Sequence, residues 1–158
     1  AATQTGIHYA LEQGADVIVT LDADHQHCPS DVPRIVQHLQ DSRADIVLGS
    51  RFLLPANRIP LTRVFYNKVA NVITFLLTGL WVSDSQTGFK AFTADFARSL
   101  RITHNGFEFC IEMIQHIRRS KTRHSEFPVL VYYSPDTMSK GQNFLTGLKM
   151  LMRLRKFF

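Results

Sequence analysis

Cysteine is scarce in this chain of 158 residues: Cys28 and Cys110 are the only two, and neither stands at a metal-like spacing. Two cysteines make no disulfide framework, which excludes a small bridge-stapled fold and points to a reducing compartment. Long hydrophobic runs are missing too. The longest, VANVITFLLTGLWV from Val69 to Val82, is interrupted by Asn71, Thr74, Thr78 and Gly79. It falls short of the roughly 18–20 apolar residues that cross a bilayer, so a buried or surface-lying helix is expected there. Ala1–Gln13 has no basic start followed by an apolar run, so no secretory leader is read. There is no internal repeat and no low-complexity segment. No interleaved aromatic and basic patch or reader motif marks a nucleic-acid surface, and no nucleic-acid partner is expected. Acidic residues are the minority, 13 against 18 Lys and Arg, for a formal charge of +5. The partner is therefore expected to be an anion, such as a phosphorylated metabolite or an anionic lipid surface.

What is present suits one domain with a real core: 45% of the residues are hydrophobic and 20% charged. Ile7, Ala10 and Leu11 recur at helical spacing in a helix that Gly14 ends. The chain opens on that helix with no strand before it, so an N-terminal piece of the domain is expected to be missing. Asp16–Leu21 is an apolar β-branched run without polar alternation, the pattern of a central parallel strand covered on both faces. Ser30 is expected to cap the next helix, with Pro33 in its first turn and Ile35, Val36 and Leu39 as its apolar stripe. Asp45–Leu48 reads as a second buried strand ending in GSR. A long helix follows over Leu61–Leu80, then a short strand in FKAF, a helix capped by Thr93 and a helix over Phe107–Arg119. The strand HSEFPVLVYY contains Pro128 and is expected at an edge. Helix, strand, helix, strand is the order of an α/β layer fold with a mainly parallel sheet. Gln142–Phe158 is expected to be a basic amphipathic helix, suited to an anionic membrane surface or to ordinary packing.

The chemistry concentrates where the first strand ends, in VIVTLDADHQH. Ligands of open α/β sheets bind beyond the carboxyl ends of the strands. Asp22 and Asp24 are two residues apart, so an extended backbone would point both carboxylates the same way. Two adjacent carboxylates favour a cation between them, and Mg²⁺ or Mn²⁺ shared with a phosphate meets that need. Gln26 could add a neutral oxygen. His25 and His27 could ligate a softer metal, although the carboxylates favour an oxygen-rich site. A plain turn, with aspartate capping the backbone, is the alternative.

The run GADVIVTLDADHQHCPSDVPRIV followed by ADIVLGSRF resembles the core of family 2 glycosyltransferases. The nearest subgroup is that of dolichyl-phosphate mannose synthase and the bacterial polyprenyl-phosphate glycosyltransferases. DSQTGFKAF resembles its D-x-x-x-G-F-[RK]-A segment, FEFCIEMI its F-x-x-E helix, and EFPVLVYYSPDTMSKGQ its P-V strand and serine-lysine loop. These pieces follow the family's order over nearly the whole chain. The resemblance implies a GT-A-type, Rossmann-like α/β fold, incomplete at its N-terminus, with residues 1–141 as the C-terminal part of the catalytic domain and 142–158 as the appended helix. It implies that Asp22, Asp24 and Gln26 hold Mg²⁺ or Mn²⁺ on a nucleotide-sugar diphosphate, with Asp22 also touching the donor. Arg51 would lie near the phosphates, Asp84 would face sugar and acceptor, Gly88 and Phe89 would shape that wall, and Ser139 and Lys140 would close on phosphate. Arg51 and Asp84 are thus the expected catalytic pair. His25 stands where this family usually carries a small residue such as glycine, and the arginine expected early in the closing loop is absent. The implied reaction is transfer of a hexose from a UDP- or GDP-sugar to a polyprenyl phosphate at the cytoplasmic face of the cell membrane, with room for a homo-oligomer. With a hydroxyl acceptor, as in a transferase to polysaccharide, Asp84 would be the natural base. A truncated module that only binds membrane or a partner protein is the non-enzymatic alternative.

Overall fold

The computed structural model describes residues 2–101 and 108–133. Nine elements follow in order: α1 (Ala2–Glu12), β1 (Val17–Thr20), α2 (Asp31–Ser42), β2 (Ile46–Ser50), α3 (Leu61–Thr78), β3 (Lys90–Thr93), α4 (Ala94–Ser99), α5 (Glu108–Ser120) and β4 (His124–Pro128). The expected loop of Ser139 and Lys140 and the expected helix 142–158 lie outside the described residues.

The four described strands form one sheet in the order β1-β3-β2-β4. β3 runs antiparallel to both β1 and β2, whereas β2 and β4 are parallel. Three strands therefore share one direction, as the mainly parallel reading requires, but the fourth is reversed and sits inside the sheet. β1 pairs with the reversed β3, lies at an edge of the described sheet, and buries only Ile18. The short run KAFT takes the covered position instead, and its first three residues are buried. β4 is at the opposite edge with Pro128 as its last residue, where a missing N–H is tolerated.

Strand alternation divides the core between the two faces of the sheet. Ile46, Leu48 and Phe92 join Ile7, Phe96, Met113, Ile114 and Ile117 from α1, α4 and α5. Val47 and Ala91 join Ile35 and Leu39 from α2, with Phe89 and Val129. Helices thus cover both faces. Thr93 caps α4 as expected, its Oγ1 accepting from the Phe96 N–H at 3.2 Å. Ser30 does not cap α2: it has helical φ and ψ, and its hydroxyl pairs with the Cys28 thiol at 2.9 Å. The buried Asp31 anchors that end instead, accepting from the Leu130 N–H at 2.7 Å and from Arg34 at 2.6 Å.

α3 is turned inside out. Its buried side chains are Asn71, Thr74 and Thr78. Leu61, Phe65, Tyr66, Val69, Val72, Phe75 and Leu76 are exposed, Leu61 at 86% and Leu76 at 74%. Among the described residues no helix is long and apolar enough to cross a membrane.

Candidate active site

The sheet topology gathers the chemistry on one rim. Asp22 follows β1 and Arg51 follows β2 at their carboxyl ends. β3 runs the other way, so the segment leading into it, Asp84–Phe89, arrives at the same rim. Two hydrogen bonds fasten that segment down: Thr20 Oγ1 donates to the Gly88 carbonyl at 2.9 Å, and the Gly49 N–H donates to the Phe89 carbonyl at 2.8 Å.

Asp22 lies across Gly88, where an added Cβ would fall inside its carboxylate. A side chain at position 88 would displace the Asp22 carboxylate from this place. The Asp22 side chain is 54% exposed, and its Oδ2 is 3.5 Å from His27 Nε2. Hydrogen bonding from His27 pulls the Asp22 pKa below its ordinary 3.8, against partial burial that raises it; the His27 and Lys90 charges and the Gly88 backbone add to the lowering. Asp24 does not continue an extended backbone. Residues 23–25 bend, His25 is left-handed with φ 63°, and Asp24 Oδ1 accepts from the Gln26 N–H at 3.1 Å. The turn alternative therefore holds for one Asp24 oxygen, and His25 adopts a left-handed conformation that glycine would take without strain. Gln26 is half-buried and held through its carbonyl, which accepts from the Tyr132 N–H at 2.9 Å.

No group of three or more His, Cys, Asp and Glu side chains is gathered for a metal among the described residues. What the rim offers is two exposed carboxylates, one of them using a single oxygen in a turn. That donor set suits a hard cation such as Mg²⁺, which is commonly held by one or two carboxylates and completed by substrate phosphates and water.

Arg51 and Asp84 form a fork. Arg51 Nε and Nη2 donate to the two Asp84 oxygens at 2.6 and 2.7 Å, and the Arg51 backbone N–H adds a third bond at 3.1 Å. The Asp84 side chain is wholly buried and that of Arg51 is 14% exposed. Burial alone would lower the Arg51 pKa; the Asp84 charge and hydrogen bonds outweigh it and raise it. Asp84 therefore grips Arg51, and both its oxygens are engaged rather than presented to a ligand. The Phe89 ring is fully buried and meets His27 edge-on at 5.3 Å, so it backs the site from the core.

Several further residues hold this rim from outside the aspartate loop and the Arg51 fork. Asn71 of α3 brackets Asp84, donating to the Ser83 carbonyl at 2.6 Å and accepting from the Ser85 N–H at 2.9 Å. Glu126 of β4 accepts from both the N–H and the hydroxyl of Ser83 at 2.7 Å. Asn57 donates to the Arg51 and Val129 carbonyls at 2.8 and 2.9 Å. Lys90 is buried beneath, donating to the Thr87 carbonyl and lying 3.7 Å from Cys110 Sγ. Glu112 of α5 is buried as well.

Comparison with known proteins settles the family. Residues 1–101 match the family described as Glycosyl transferase family 2. The chain belongs to that family. Membership brings with it the GT-A fold, to which the mixed sheet and flanking helices conform. Within the family, the chain is 36% identical over 157 residues to a UDP-N-acetylglucosamine–dolichyl-phosphate N-acetylglucosaminyltransferase of Methanococcus voltae, covering 97% of this chain and 62% of that protein. It is 30% identical over 130 residues to an undecaprenyl-phosphate mannosyltransferase of Micrococcus luteus, covering 78% and 52%. It is 28% identical over 119 residues to a polyprenol monophosphomannose synthase of Mycolicibacterium smegmatis, covering 72% and 44%. The chain thus spans about half of the length of these family members.

Proposed function

We propose that this chain carries the catalytic rim of a glycosyltransferase that moves a hexose from a nucleotide-diphosphate sugar to a polyprenyl phosphate. One observation carries the proposal: the reversed β3 brings the Asp22–Asp24 loop, the Arg51 fork and the Gly88 turn to a single edge of the sheet. Asp22 and Asp24, with Gln26 beside them, would hold Mg²⁺ or Mn²⁺. That ion supplies neutralisation of the charge that grows on the departing diphosphate. Arg51, aimed by Asp84, places a permanent positive charge at the same edge, where it gains most when that charge develops. Ser139 and Lys140 are proposed to add phosphate contacts from the following loop.

The engaged state of Asp84 favours a phosphate acceptor over a hydroxyl. A polyprenyl phosphate is already ionised at neutral pH and needs little help from a base, whereas a hydroxyl acceptor would require Asp84 to leave Arg51. The outward apolar face of α3 favours a lipid-linked acceptor at a membrane surface, since an exposed stripe of that size on a helix with a polar inner face has no use in water. The helix expected over 142–158 would add basic charge to that contact. Nucleotide sugars place the reaction at the cytoplasmic side of the cell membrane.

The test is calorimetric titration of UDP- and GDP-hexoses into the protein with Mn²⁺, followed by transfer assays with polyprenyl phosphate and with free polyprenol. Binding that needs Mn²⁺ and is lost in Asp24→Ala is expected, with transfer to the phosphate alone. Donor binding indifferent to Asp24→Ala would refute the metal site, and no donor binding at all would favour a module that only docks.

A further inference from the structure

His27 is the most buried imidazole beside the rim, and donor binding as proposed above gives it no task. Its side chain is 3% exposed, with Nε2 3.5 Å from Asp22 Oδ2. The ring is fixed on two sides: Phe89 packs edge-on against it, and residue 27 bridges to Val131 of the chain after β4. Nδ1 is buried and has no hydrogen-bond partner among the described residues. A proton on Nδ1 would therefore be an N–H buried without an acceptor, whereas a proton on Nε2 faces a carboxylate. The surroundings select the Nε2–H tautomer and aim it at Asp22.

We propose that His27 is the positioning residue of the metal site: its Nε2–H faces one oxygen of Asp22 and steadies that side chain beside Gly88, which would leave the other oxygen for the cation. The inference rests on the metal reading of Asp22 and adds to it what fixes that ligand. Asp22 is more than half exposed, and an exposed aspartate turns freely between rotamers unless something holds it. Gly88 limits it from one side, and His27 Nε2, 3.5 Å from Oδ2, faces it from the other. Groups that orient a metal ligand through such a bond typically account for 10–100-fold in metal affinity.

The experiment compares the unsubstituted protein with His27→Phe, which keeps a ring against Phe89 and removes the N–H, and His27→Gln, which restores a donor. Mn²⁺ affinity is read by electron paramagnetic resonance with UDP or GDP present, and folding by thermal melting. Expected is a weakening of about tenfold in His27→Phe, recovered to a large part in His27→Gln, with both melting close to the parent. Parent-like Mn²⁺ affinity in His27→Phe would overturn the inference while leaving the metal site standing. Equal loss in both variants at parent-like melting would overturn it in favour of ring packing. Absence of Mn²⁺ binding in the parent would overturn the metal site and this inference together. Independently of any variant or metal, the nitrogen NMR spectrum of the parent should show His27 as the Nε2–H tautomer; the Nδ1–H form would contradict the proposal even if His27→Phe failed to fold.

Discussion

Asp84 is tied to the site through another side chain. Both of its oxygens take N–H groups of Arg51, and the side chain is wholly buried. Removing one partner of such a pair leaves a charge in a place water does not reach, typically at a loss of about 3–5 kcal/mol. Asp84→Ala is therefore expected to lower stability by about 3 kcal/mol, read from the midpoint of urea unfolding. Arg51→Lys should lose the fork as well, because an ammonium cannot make two parallel bonds to one carboxylate. An unchanged midpoint in Asp84→Ala would mean that Arg51 finds water instead. The motif marked Asp84 in the sequence, but it did not reveal which way the carboxylate faces. That depends on Asn71 of α3 and Glu126 of β4, which hold Ser83 and Ser85, the residues that flank Asp84.

Among the elements, α3 departs furthest from what its composition suggests. Its run is rich in apolar residues, and a buried or surface-lying helix was the expectation. The interruptions carried the finer signal: Asn71, Thr74 and Thr78 recur at helical spacing and form the inner face, which leaves the apolar majority outside. Apolar residues usually mark the inside, and here a polar loop to be held reversed the rule, since Asn71 must reach the backbone on either side of Asp84. If the outer face rests on lipid, each large side chain that leaves water contributes about 1.5–3 kcal/mol to the attachment. Phe65→Glu combined with Leu76→Glu should then weaken sedimentation with lipid vesicles by at least about tenfold. Melting should change little, because both positions are exposed in the protein itself. Equal retention of parent and variant would remove α3 from the membrane contact.

For the molecule as a whole, three titrating groups act in the same direction with pH. His116 is pushed below its ordinary 6.5 by burial. Asp22 and Asp45 lie below their ordinary 3.8, through hydrogen bonds from His27 and Arg123 respectively, against the raising effect of partial burial. In each case the unfolded chain takes up the proton first as pH falls, so stability is lost on acidification. The His116 share is whole above about pH 6.5 and declines below it, while the carboxylate shares persist until below about pH 4. Calorimetric scans from pH 7 to pH 3 should show falling melting temperatures, and His116→Gln should flatten only the upper part of that decline. The α/β class, the strand runs and the loop after β1 were legible in the sequence because local periodicity and composition determine them. Strand order was not. Nothing local in FKAF says that it enters between β1 and β2, since the covered faces of its neighbours decide that.

That insertion has a consequence for how the protein is made. Thr20 and Gly88 grip each other across 68 residues of chain. A polypeptide emerging from the ribosome exposes its aspartate loop long before the strand that completes the edge has been synthesised. Until Lys90–Thr93 is released from the exit tunnel, β1 and β2 have no central partner and their paired edges lie bare. Synthesis paused inside α3 should thus yield a nascent species prone to association, and chaperone demand should be greatest over that interval.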